Sequence, residues 1–118
     1  MCRGYVLVVE DDLAIQNAVA DLIREEHGVK TASDGRAALE IIRVSPPPSL
    51  ILLDMMMPGM NGAEFINEKN RLPALAAIPV VVMTATSHPH GLQLPGVSSF
   101  LRKPFDVDAL MSIVERYC

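Results

Sequence analysis

Leu50-Ile51-Leu52-Leu53-Asp54-Met55-Met56-Met57-Pro58-Gly59, or LILLDMMMPG, is the stretch on which the reading of this chain turns. Four large apolar residues run into one carboxylate, and a proline–glycine turn follows three methionines. A short, unbroken apolar run suits a strand buried on both faces, as in a parallel sheet. Asp54 then stands where that strand leaves the core. Open α/β sheets bind ligands at this carboxyl edge, so the question becomes which other residues arrive there.

The same pattern recurs along the chain. Tyr5 to Val9 (YVLVV) is apolar and rich in β-branched residues, and it ends abruptly at Glu10-Asp11-Asp12. The spacing of Leu13, Val19, Leu22 and Ile23 predicts a helix to about His27, with Asp12 as its N-cap and Gly28 as its C′ stop. Val29 to Ala32 reads as a second strand. Ser33-Asp34-Gly35 turns into a helix carrying Ala38, Leu39, Ile41 and Ile42, which Pro46, Pro47 and Pro48 end. Leu50 to Leu53 is a third strand. Gly62 to about Arg71 is a modest helix with Phe65 and Ile66 on its apolar side. Ile78 to Met83 is a fourth strand, Ser98 to Leu101 a fifth, and Val107 to Arg116 a closing helix. Strands alternating with helices imply parallel pairing through right-handed crossovers, hence a doubly wound α/β sheet. One interval breaks the rhythm. Residues 84–97 read TATSHPHGLQLPGV, and Pro89, Gly91 and Pro95 allow a loop or at most one helical turn there.

Composition sets the bounds. At 118 residues, half hydrophobic and a fifth charged, the chain is expected to form one domain over 1–118 with a single substantial core. A net charge of −4 gives no electrostatic reason to expect nucleic acid as a partner. Cys2 and Cys118, at opposite ends, read as two reduced thiols rather than a bridge. No apolar run approaches the ~20 residues of a membrane span. Met1 to Gly4 lead straight into a strand, so no cleavable signal peptide is expected. A cytoplasmic location is the expectation.

Parallel strands send their carboxyl ends to one edge. There Glu10 and Asp11, Asp54, Thr84 and Lys103 would meet: three carboxylates, a hydroxyl and an ammonium. Like charges repel by ~4 kcal/mol at 4 Å if the effective dielectric is about 20. Lys103 supplies one positive charge against three negative ones. A divalent cation would supply the rest, and a donor set of oxygens alone favours Mg²⁺ over a transition metal.

These residues give the chain its resemblance to the receiver domain of two-component response regulators, the CheY-like superfamily. The motifs are VVEDD at 8–12, LLDMMMPGMNG at 52–62, MTA at 83–85 and FLRKPF at 100–105. Each is weak alone; four in order, each closing a strand, make a specific set that covers essentially the whole chain. The resemblance implies a flavodoxin-like, five-stranded parallel sheet of order 2-1-3-4-5. It implies Asp54 as the phosphoacceptor and Glu10 and Asp11 as the acidic pair for Mg²⁺, with the Met56 carbonyl completing the protein's ligands. Thr84 resembles the switch hydroxyl, Lys103 the active-site lysine and Phe100 the switch aromatic, although Phe100 alone reads equally well as plain core. The cis peptide bond before Pro104 is likewise implied by the family.

The implied function is a phosphoprotein of two-component phosphorelay signal transduction. Asp54 would take a phosphoryl group, with Mg²⁺, from a sensor histidine kinase or a histidine phosphotransfer protein, and a downstream protein would read the changed surface. Such a domain catalyses only its own phosphorylation and hydrolysis and is not otherwise an enzyme. A phosphatase of the haloacid-dehalogenase type would need a second acid two residues after the nucleophile, where Met56 stands. A flavodoxin-like nucleotide binder would need a Gly-rich loop after the first strand. A phosphate-independent interaction module with the same fold stays open as the alternative, because the sequence departs from the family in one place. Thr84 and Lys103 are separated by 19 positions, fewer than the family pattern implies, so the fourth helix is expected to be shortened or absent. The chain ends directly after its last helix, which leaves open a stand-alone receiver and one excised from a longer protein; Cys118 favours excision.

Overall fold

The computed structural model describes residues 4–54, 62–84, 97–102 and 106–117. Five strands, β1 (Tyr5–Val9), β2 (Gly28–Ala32), β3 (Leu50–Asp54), β4 (Val80–Thr84) and β5 (Val97–Arg102), form one sheet in the order β2-β1-β3-β4-β5. Every pairing is parallel. Among the described residues the helices are α1 (Leu13–Arg24), α2 (Gly35–Val44), α3 (Gly62–Asn70), the short α4 (Pro73–Ala76) and α5 (Val107–Tyr117). The expected doubly wound, flavodoxin-like fold is therefore present.

Strand alternation divides the core in two. Leu7, Val9, Ile51, Leu53, Val80 and Val82 face Ala38, Leu39 and Ile42 of α2, Phe65 and Ile66 of α3, and Leu75 of α4. Val6, Val8, Leu50, Leu52, Val81 and Met83 face Val19 and Ile23 of α1 and Leu110 and Val114 of α5. Both faces of β3 and β4 are buried along their whole length. Apolar transfer at roughly 25 cal/mol per Å² makes this burial the main favourable contribution to folding.

Helices α1 and α2 start where side chains can satisfy their first N–H groups. Asp12 Oδ1 accepts from the N–H groups of Ala14 and Ile15, at 2.9 and 3.2 Å. Asp34 Oδ1 accepts from Ala37 N–H at 2.8 Å. At the other pole Gly4 N–H donates to Ser49 Oγ (3.0 Å), and a Cβ at Gly4 would lie 2.9 Å from that oxygen.

Several boundaries differ from the sequence reading; β5, for example, runs from Val97 to Arg102 rather than from Ser98 to Leu101. Helix α1 ends at Arg24, and Gly28 is the first residue of β2, opposite Tyr5, rather than a C′ stop. The N–H groups of Glu26 and His27 fold back onto the Ile23 carbonyl, so the turn is complete before Gly28. Strand β4 starts at Val80 rather than Ile78, because Ile78 N–H closes a turn onto Leu75. Helix α4 was not anticipated; Pro73 opens it at a position where its missing N–H costs nothing. The expectation of a shortened fourth helix falls on residues 85–96, outside the described residues, and Pro104 and both cysteines also lie outside them.

Lys69 is fully buried under α3. Its ammonium donates to the Ala76 carbonyl at the end of α4 (3.0 Å) and to Asn70 Oδ1 (3.3 Å). Burial holds it below the ordinary lysine value of 10.5. In the pH interval between that lowered folded value and 10.5 the unfolded chain binds the extra proton, so raising the pH there favours the fold. Urea titrations across this interval should therefore show wild type gaining stability relative to Lys69→Met. A constant difference would contradict it.

Candidate functional site

The pairing of β1 with β3 matches Val6 to Leu50 and Val8 to Leu52. These residues share one face of the sheet. Two further steps along each strand bring Glu10 and Asp54 to the same side at the carboxyl edge. Asp11 follows at the turn into α1. Carboxylate oxygens of Glu10, Asp11 and Asp54 all lie within 4.8 Å of one another. Glu10 and Asp54 are buried, at 1% and 6% exposure, while Asp11 is exposed. Thr84 ends β4 nearby in the order of the sheet. Its neighbour Met83 lies opposite Asp54, and Thr84 itself lies opposite Arg102.

The three carboxylates expected to share a cation are thus gathered at one pole. At 4.8 Å, two full charges repel by about 3.5 kcal/mol with an effective dielectric near 20. Oxygen donors alone, two of them buried, fit a small hard divalent ion and do not fit a soft one. The backbone orients one of these carboxylates: Asp12 N–H donates to Glu10 Oε2 at 3.3 Å.

Asp12 stands apart from the three, with its carboxylate spent on capping α1. Phe100 lies opposite Val82 and packs, half-buried, against the α2–α3 core face. Lys103 and Met56 lie outside the described residues. Sequence reasoning missed Gln16, whose buried side-chain amide reaches the Glu10 carbonyl at 2.9 Å. A signal was there: Gln16 occupies the first place of the buried stripe 16-19-20-23 on α1, where an apolar side chain is the ordinary choice.

Comparison with known proteins agrees with this arrangement. Residues 6–115 match the family described as the response regulator receiver domain. Hybrid signal transduction histidine kinase D of Dictyostelium discoideum is 34% identical over 95% of this chain, which spans 7% of that protein. The DNA-binding transcriptional regulator NtrC of Escherichia coli K12 is 33% identical over 98% of this chain and 25% of its own length. The chain thus covers a small part of each. Among solved structures, chemotaxis response regulator CheY4 of Vibrio cholerae superposes with a TM-score of 0.90 at 28% identity, over 98% of both chains.

The geometry separates Asp12 from Asp54 in a testable way. Asp12→Ala should cost about 1 kcal/mol of stability in urea unfolding, and a titration with magnesium chloride should give the same result as for wild type. In the presence of a chelator, Asp54→Asn should raise the melting temperature above that of wild type, because it removes one charge from the cluster. A lower melting temperature would show that repulsion is not the dominant effect at this pole.

Proposed function

Because the chain belongs to the response regulator receiver domains, we propose that it is a phosphoacceptor signalling domain in which Asp54 receives a phosphoryl group from a phosphohistidine donor. The observation that carries this reading is the convergence of Glu10, Asp11 and Asp54 at the carboxyl edge of the sheet. Asp54 is a carboxylate at the end of a rigid, fully buried strand, which gives the nucleophile a fixed position. In the transfer an Asp54 oxygen bonds to phosphorus, the phosphorus–nitrogen bond of the donor breaks, and its electron pair stays on the imidazole. The product is an acyl phosphate on Asp54.

Glu10, Asp11 and Asp54 would hold Mg²⁺, together with the Met56 carbonyl that the family pattern supplies. Bound there, the ion would offset the negative charge that nucleophile and phosphoryl group bring together. Thr84, buried at the end of β4, would donate its hydroxyl to a phosphoryl oxygen, and Lys103 would give a point charge to another. Two charge-assisted hydrogen bonds at ~1.5–3 kcal/mol each total ~3–6 kcal/mol. Reversing a two-state equilibrium from 1:99 to 99:1 takes ~5.5 kcal/mol. One phosphoryl group is enough to operate a switch.

The donor would be a sensor histidine kinase or a histidine phosphotransfer protein, as the similarity to a hybrid histidine kinase suggests. The output partner would be another protein. No described helix is long and apolar enough to cross a membrane, which is compatible with action in the cytoplasm.

Incubation with acetyl phosphate and Mg²⁺, read by intact mass, tests the proposal. Wild type should gain one phosphoryl group, and Asp54→Asn or added chelator should abolish the gain. Folded, Mg²⁺-bound wild type that gains nothing would instead favour an interaction module that works without phosphate.

A further inference from the structure

Of the residues on the buried stripe of α1, Gln16 alone is polar; Val19, Ala20 and Ile23 complete it. A polar group in that place costs free energy unless its hydrogen bonds are made. Gln16 makes them to two separate pieces of chain, just after β1 and at the end of β2. Its Nε2 donates to the carbonyl of Glu10 at 2.9 Å and to the carbonyl of Ala32 at 3.0 Å, and lies 3.4 Å from Ser33 Oγ. The two carbonyl bonds match the two N–H groups of a primary amide. Glu10 N–H also donates to the Ala32 carbonyl at 3.0 Å, so the ends of β1 and β2 are tied to each other and both to α1.

The same residue closes the other end of the acidic segment through its backbone. Gln16 N–H donates to the Asp12 carbonyl at 2.9 Å. The Glu10-Asp11-Asp12 turn is therefore gripped at its entrance by the Gln16 side chain and at its exit by the Gln16 main chain. Among the described residues no hydrogen bond holds the Asp11 side chain, so its place within 4.8 Å of Asp54 is inherited from the backbone on either side.

We infer that Gln16 is a positioning residue for the cation site, fixing the backbone from which the Glu10 and Asp11 carboxylates face Asp54. The inference rests on the proposed reading of these carboxylates as cation ligands. Gln16 touches neither the ion nor the phosphoryl group; it acts through the main chain, as outer-sphere partners of metal ligands do.

Calorimetric titration with magnesium chloride tests it. Gln16→Met keeps the length of the side chain and removes its donors. It should weaken Mg²⁺ binding by about 10- to 100-fold. In labelling by acetyl phosphate, the half-saturating Mg²⁺ concentration should rise by a similar factor while the rate at saturating Mg²⁺ is retained. Folded Gln16→Met that binds Mg²⁺ within about twofold of wild type, with only its melting temperature lowered, would overturn the inference and leave the signalling reading standing. Wild type that binds no Mg²⁺ would overturn both. A measurement on the unaltered chain stands apart from any folding defect: the Gln16 side-chain amide protons should exchange with water more slowly once Mg²⁺ is added. Unchanged exchange in Mg²⁺-bound wild type would overturn the inference.

Discussion

Three carboxylates within 4.8 Å of one another repel, and something has to hold them together. The strand register does so. With Val8 opposite Leu52 and Val9 opposite Leu53, a one-residue slip would exchange the side chains packed into the two core layers and spoil the fit of both. Burial of Val6, Val8, Leu50 and Leu52 thus fixes the place of Glu10 and Asp54 at a cost the core can bear. The hydrophobic contribution is spread over many side chains, whereas the repulsion is concentrated in three.

This division also explains where the chemistry sits. The interiors of β1, β3 and β4 are committed to packing on two faces and have no room for polar groups. Only where the strands end can a carboxylate be held rigidly and still meet an incoming group. Asp11 is open to solvent while Glu10 and Asp54 are covered, so one acid of the cluster faces water and two face inward.

Much of this was legible in the residues. Strands β1, β3 and β4 announced themselves as short β-branched or apolar runs, and Glu10, Asp54 and Thr84 follow those runs directly. Parallel pairing then did the rest, since a single edge must collect all the carboxyl ends. What escaped depends on tertiary partners. Gly28 signals a stop in any local reading, and only its pairing with Tyr5 makes it the start of a strand. Helix α4 is too short to show a period. Gln16 and Lys69 sit on helical positions that ask for apolar side chains, and the carbonyls of Glu10, Ala32 and Ala76 that justify them come from elsewhere in the chain. Phe100 packs against the core, as its sequence allowed.

The outermost strands have a different consequence. A sheet that does not close leaves two rows of backbone groups able to template another chain. Here those rows belong to β2 and β5, of five and six residues, and each carries one exposed basic side chain, Lys30 and Arg102. Lys30 is held in place, 4.8 Å above the Tyr5 ring and 3.0 Å from Ser45 Oγ. A second β2 laid antiparallel and centred on Lys30 would set one ammonium opposite the other. Short borders, each carrying a charge on its exposed surface, are two features that disfavour edge-to-edge addition of strands.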